Sequence, residues 1–121
     1  MKEQLITLLK TFNFPVYQQG SLTEDDIYPT AFFTFWNDST DDGSHYDNDA
    51  IAFVWQFTVY FYCTNNELTN SILLECRNLL KQNGWITNGI GYDVPSDEPS
   101  HTGRAIDVWY IQNKQEVNNN A

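Results

Sequence analysis

Residues 50–63, Ala-Ile-Ala-Phe-Val-Trp-Gln-Phe-Thr-Val-Tyr-Phe-Tyr-Cys, constrain the fold more than any other stretch of the chain. Alternation with a period of two, carried by aromatic and β-branched residues, spells one long strand. One face collects Ile51, Phe53, Trp55, Phe57, Val59 and Phe61 and is apolar throughout. The other collects Ala52, Val54, Gln56, Thr58, Tyr60 and Tyr62, half apolar and half hydrogen-bonding. Such a face is too greasy for open water and too polar for a dry core. It calls for a cover, and in a chain this short a second subunit is a natural one.

A chain of 121 residues makes one domain and is long enough to bury a core without staples. Its 16% aromatic content suits a strand-rich domain and excludes general disorder. Sixteen Asp and Glu against six Lys and Arg give a net charge of −10. That field repels phosphates, so nucleic-acid binding by charge neutralisation and attachment to an anionic membrane are both disfavoured. A negatively charged lumen would still let a duplex slide through without sticking. The start, Met-Lys-Glu-Gln-Leu, has no apolar signal core, and no run reaches membrane-spanning length, so a cytoplasmic site of synthesis is expected. Cys63 and Cys76 lack CxxC spacing and read as small buried hydrophobes.

Along the chain, residues 2–13 form an amphipathic helix with Leu5, Leu8, Leu9 and Phe12 on one stripe, ended by Pro15. Val16 and Tyr17 start a short strand. After a polar turn, Ala31 to Trp36 alternate Phe33 and Phe35 with Phe32, Thr34 and Trp36. Asn37 to Asp49 then read as an unusually long polar hairpin loop. Thr64 and Glu67 have capping-box spacing ahead of a second helix over about 66–82. That helix buries Leu68, Ile72, Cys76, Leu79 and Leu80 and stops at Asn83-Gly84. Residues 87–103 are rich in glycine, proline and polar side chains, with a weak strand near Tyr92 and Val94. The last strand, Arg104 to Gln112, puts Asp107 and Trp109 on one mixed face. The expected fold is a single α+β domain over 1–112, a mainly antiparallel sheet with two helices packed on one face, followed by a tail over 113–121.

No motif carries catalytic chemistry. GxSxG and phosphate-cradling glycine loops are absent, and Gly89-Ile-Gly91 is too short to count. Asp38, Thr40, Asp42, Gly43, Ser44, Tyr46 and Asp49 approximate a calcium loop. However, the last ligand is Asp rather than a bidentate Glu, and the flanks are strands rather than helices. His45 and His101 each sit in a loop, and their spacing does not demand a metal. No cofactor or metal ligand is therefore expected. Arg104 stands out because cations are few; it reads as a surface residue or as the partner of an acidic loop on a neighbour.

The opening helix, the strand of Tyr28-Pro29-Thr30-Ala31-Phe32-Phe33, the long hairpin, and strand Phe53–Cys63 together resemble a known family. Helix Leu68–Gln82 with Asn83-Gly84-Trp85 and strand Gly103–Tyr110 complete the likeness. It is to the tail terminator and head–tail joining proteins of long-tailed bacteriophages, the minor capsid proteins. The resemblance implies a non-enzymatic virion subunit that forms a homo-oligomer, a hexameric ring. It also implies contacts to tail-tube and head-connector proteins, with DNA passing through the lumen. Trp55, Tyr60, Tyr62, Arg104, Asp107 and Trp109 are the expected subunit interface. Asp38, Asp41, Asp42, His45, Asp47 and Asp49 are the expected assembly loop. The alternative from a different class is a small-ligand or peptide-binding domain with Trp36, Trp55 and Trp109 lining a pocket. A metal-dependent enzyme built on the 38–49 loop is the third.

Overall fold

In the computed structural model, the described residues are 1–18, 29–42, 45–46, 49–50, 52–96 and 98–113. Helix α1, Lys2–Lys10, comes first, then β1 (Val16–Gln18), β2 (Ala31–Asp42), β3 (His45–Tyr46), β4 (Asp49–Ala50) and β5 (Ala52–Cys63). Helix α2, Asn66–Gln82, follows, with β6 (Ile86–Thr87), β7 (Tyr92–Val94) and β8 (Thr102–Asn113) closing the order. The expected α+β architecture is what forms. A six-stranded sheet runs β1-β2-β5-β8-β6, with β7 also pairing β8. All its pairs are antiparallel except β1 with β2. β3 and β4 make a separate two-stranded pair.

The centre is three strands of twelve residues each, β2, β5 and β8. Their register decides everything above them. Phe33, Phe61 and Arg104 share one row and one face; Phe35, Val59 and Ile106 share the next; Phe57 and Val108 follow. Leu5 and Leu9 of α1 and Leu73, Cys76 and Leu80 of α2 pack on that face, and Phe33, Phe57, Val59, Phe61, Ile106 and Val108 are all fully buried beneath them. Burying one such side chain contributes about 1.5–3 kcal/mol. The rings of Phe33 and Phe61 lie 4.7 Å apart, with Phe12 and Phe14 closing over them.

Local chemistry sets the helix ends. α1 stops at Lys10, three residues earlier than its apolar stripe suggests. Asn13 takes a left-handed φ of 65°, which asparagine tolerates, and its N–H donates to Lys10 O. The Pro15 carbonyl is then free to accept from Phe33 N at 2.9 Å and start the parallel pairing. The N-cap of α2 is Asn65 rather than Thr64: its Oδ1 accepts from Leu68 N at 3.1 Å. At the other end, Gly84 (φ 88°) allows Trp85 N to donate to Leu80 O and Gly84 N to Lys81 O, a Schellman closure. That turn throws Trp85 back into the core, against Phe57 and Tyr110. Trp85 Nε1 and Thr87 Oγ1 find no partner among the described residues. Each such loss costs about 1–3 kcal/mol that the packing must offset.

Two expected boundaries move. The stripe buried by α2 is centred on Thr69, Leu73, Cys76 and Leu80, with Leu68, Ile72 and Leu79 only partly covered. Thr69 is acceptable there because its hydroxyl pairs with Thr102 Oγ1 at 2.9 Å and donates to Asn65 O at 3.0 Å. The supposed long loop after Trp36 is largely strand. β2 continues to Asp42 and pairs Ser39–Asp42 with Phe53–Gln56. A polar strand of this kind needs no apolar alternation because its partner, β5, supplies the ladder. β8 takes in Asn113; the remaining tail, 114–121, lies outside the described residues. No helix among the described residues is long and apolar enough to cross a membrane.

Candidate functional site

The opposite face of the sheet carries no helix among the described residues. Its rows follow from the same register: Phe32, Tyr62 and Gly103; Thr34, Tyr60 and Ala105; Trp36, Thr58 and Asp107; then Ser39, Gln56 and Trp109. Tyr92 of β7 joins the row of Ala105, and Ile86 of β6 joins that of Trp109. Trp36, Ile86, Tyr92 and Ile111 each keep between 45% and 55% of their surface exposed. They span the sheet from β2 to its far edge, with Tyr60 and Trp109 half-buried between them. This is the mixed face anticipated from residues 50–63; Phe32, Thr34, Thr58 and Ala105 on it are buried, while Trp36, Ile86, Tyr92 and Ile111 stay exposed.

A β-bulge gives the face its charge. The ladder pairs Asn37 with Phe57 and Ser39 with Gln56, leaving Asp38 as the extra residue. The bulge aims its carboxylate across the sheet, where Thr58 Oγ1 lies 2.6 Å from Asp38 Oδ2 and 3.0 Å from Asp107 Oδ1. One hydroxyl has one proton and can serve one carboxylate at a time. Tyr92 donates its phenol to Asp107 Oδ1 at 3.1 Å. Partial burial, the bond to Asp107 and the charge of Asp107 push the Tyr92 phenol up to about 12. Tyr60 is raised by burial first and then by Asp38 and Asp107. Two acids thus sit among aromatic rings, and among the described residues their side-chain donors are these two hydroxyls.

The expected interface residues divide between the two faces. Tyr60, Tyr62, Asp107 and Trp109 lie together on the open face, but Trp55 and Arg104 do not. Trp55 pairs with Tyr110 on the helix side, stacks on Phe57 at 6.2 Å and donates Nε1 to Gln112 Oε1. Arg104 sits in the row of Phe61 and makes an intramolecular ion pair with Asp93 Oδ1 at 2.9 Å. Strand parity is the reason: even-numbered β5 residues face out, odd-numbered ones in, and Arg104 pairs with Phe61. For the same reason Trp36, Trp55 and Trp109 cannot line one pocket.

Of the expected assembly loop, Asp38 is the bulge residue just described. Asp41 and Asp42 end β2, while His45 and Asp49 belong to the β3–β4 pair. The side chains of those four, and all of Asp47, lie outside the described residues. Extended backbone over 38–42 is a poor scaffold for a calcium loop, whose oxygens must converge around a sharp turn. Among the described residues no group of His, Cys, Asp and Glu could hold a metal ion.

His101 packs edge-on to Phe32, with Nε2 2.7 Å from Pro29 O. A carbonyl only accepts, so Nε2 carries the proton and the imidazole ties the 95–101 loop to the start of β2. Cys63 and Cys76 are free and buried, and burial pushes the Cys76 thiol up to about 12. A cavity of about 280 Å³ between the start of α2 and the 93–103 segment is open and lined by Asn66, Pro95, Ser96 and His101. It is small for a ligand site, and apart from Val94 and Pro95 its lining is mostly polar. Missed by sequence reasoning were Asp38 as a second acceptor beside Asp107 at Thr58, and Tyr92 and Ile86 as members of the face. A bulge and two- or three-residue edge strands leave almost no periodic signal. No family model matches the chain, and no curated protein was found to be similar to it.

Proposed function

We propose that the chain is a virion structural subunit of a long-tailed bacteriophage, a tail terminator or head–tail joining protein that acts by assembling into a ring, not by catalysis. The observation that carries this reading is the open sheet face. It spreads Trp36, Ile86, Tyr92 and Ile111 over a folded domain whose helices all pack on the other side. Monomeric proteins rarely leave so broad an aromatic and aliphatic surface uncovered, and such surfaces mark association sites. The order of elements and the resemblance of the chain to that family supply the kind of assembly, six subunits around a lumen. The net charge of −10 suits a passage that DNA crosses without adhering. Tail-tube and head-connector proteins are the partners above and below the ring.

Sedimentation velocity over a wide concentration range tests the reading. A step from one subunit to a closed species of about six, seen as an annulus by electron microscopy, is the expected result. A chain that stays monomeric up to millimolar concentration, and also fails to bind purified unterminated tail tubes, overturns it.

A further inference from the structure

The described cations all lie on the helix side of the molecule, which also carries Glu3, Glu67 and Glu75. Of the six Lys and Arg, five are described: Lys2 and Lys10 lie on α1, Arg77 and Lys81 on α2, and Arg104 on the helix side of the sheet. None is on the open face. That face instead presents Asp38 and Asp107, which share two hydroxyl donors, among exposed aromatic and aliphatic side chains. Two copies cannot bury this face against itself by a two-fold axis without bringing like charges together.

The C-terminal half of the outer side of α2 has a different make-up, beyond the exposed Glu67 and Glu75. Leu74, Asn78 and Lys81 fall at i, i+4 and i+7 and share one exposed stripe, with Arg77 beside them. After Cys76 the helix carries Arg77 and Lys81 and no acid. Arg77 Nε donates to Gly89 O at 2.9 Å, which seats Ile90 next to this stripe. Leu74 and Ile90 remain 42% and 61% exposed. The stripe therefore combines two exposed aliphatic side chains with two cations, Lys81 exposed and Arg77 partly buried.

We infer, resting on the ring reading above, that the open sheet face of one subunit docks on the α2–Ile90 patch of the next. Lys81, with Arg77 beside it, adds the positive charge that the two hydroxyl donors of Asp38 and Asp107 do not bring, while Leu74 and Ile90 pack against Trp36 and Tyr92. The contact is head-to-tail, each subunit using two different surfaces, which is the geometry that closes into a ring. It weakens as salt rises, because Asp38 and Lys81 are exposed before docking.

Paired charge reversals test it. Asp38→Lys with Asp107→Lys blocks one surface; Arg77→Glu with Lys81→Glu blocks the other. Each variant alone is expected to stay monomeric at concentrations about tenfold above those at which the native chain assembles. Mixed in equal amounts, the two variants offer a native junction and a charge-swapped one, lysines on glutamates, and are expected to assemble again into closed species of alternating subunits. Circular dichroism and melting verify folding, and Trp36→Ser, at an exposed position, replaces the sheet-face pair if that variant does not fold. Native rings that both variants also form at unchanged concentrations overturn the assigned surfaces while leaving the ring reading intact. So does a mixture that stays as monomeric as each variant alone. A native chain that never assembles removes both.

Discussion

Odd and even residues of β5 sit on one strand and meet two different worlds. Phe57, Val59 and Phe61 are shut in completely by α1 and α2. Thr58 is nearly as buried, at 5%, yet no helix covers it. Trp36 and Asp107 stand in its row and Tyr60 beside it, and among the described residues the cover on this side comes from the sheet itself. A face roofed by a second layer is sealed by chain connectivity. A face that shelters only its floor keeps tall, exposed rims. The first arrangement makes a core; the second makes a surface whose rims are available to another molecule.

That contrast breaks most easily at its strongest point. Phe61→Ala empties a site bounded by Phe14 and Phe33 and is expected to cost about 3–5 kcal/mol, a large share of the stability of a domain this size. Trp36→Ala removes a larger side chain from the open face and should shift the monomer's stability by no more than about 0.5 kcal/mol. Urea melts of both variants at a concentration too low for assembly measure the difference. Equal losses would mean that the outer face is as structural as the inner one.

Gly103→Ala probes the floor of the open face. A Cβ there would lie 2.7 Å from the Tyr62 ring and 3.0 Å from Val94, because Tyr62 lies directly across its glycine partner. Tyr62 is itself stacked on Phe32 at 5.3 Å. Displacing it is expected to cost about 1–3 kcal/mol, visible as a lower urea midpoint with an unchanged slope. Thr58→Val asks less: it keeps the shape and removes the hydroxyl shared by Asp38 and Asp107, for about 1 kcal/mol. A Thr58→Val protein more stable than the native chain would show that the bulge at Asp38 is held by backbone alone.

The legibility of the two faces in the sequence differs as their physics does. Residues 57–61 announce a core because period-two alternation is a direct image of the pleat, and the helices announce themselves through Leu5, Leu9, Cys76 and Leu80. The mixed character of the outer face was readable from Thr58, Tyr60 and Asp107 for the same reason. What could not be read was pairing. Arg104 looks like a surface cation until its cross-strand neighbours prove to be Phe61 and Asp93. Asp38 looks like loop until a one-residue bulge turns it toward Thr58. Polar residues after Trp36 gave no strand signal because that ladder is stabilised by its partner strand, not by its own alternation.

The smallest expected effects concern protons, and they separate the faces once more. Cys76 and Tyr92 are both pushed up to about 12, from 9.0 and 10.0 respectively. For Cys76 the cause is burial under the helices alone; for Tyr92 it is partial burial, then Asp107. Both groups are neutral when protonated, so each raised value adds stability that is fully present below the unfolded value and lost as pH climbs to the folded one. The window is pH 9 to 12 for Cys76 and pH 10 to 12 for Tyr92. A thiol reagent at neutral pH should therefore leave folded Cys76 untouched and label it on unfolding. Tyr92→Phe should flatten the loss of stability between pH 10 and 12 only slightly, because water screens a side chain this exposed. Urea midpoints at closely spaced alkaline pH values measure it. Curves for Tyr92→Phe and the native chain that coincide throughout that window would mean that Asp107 does not hold the phenol, and that its carboxylate has one hydroxyl fewer to itself.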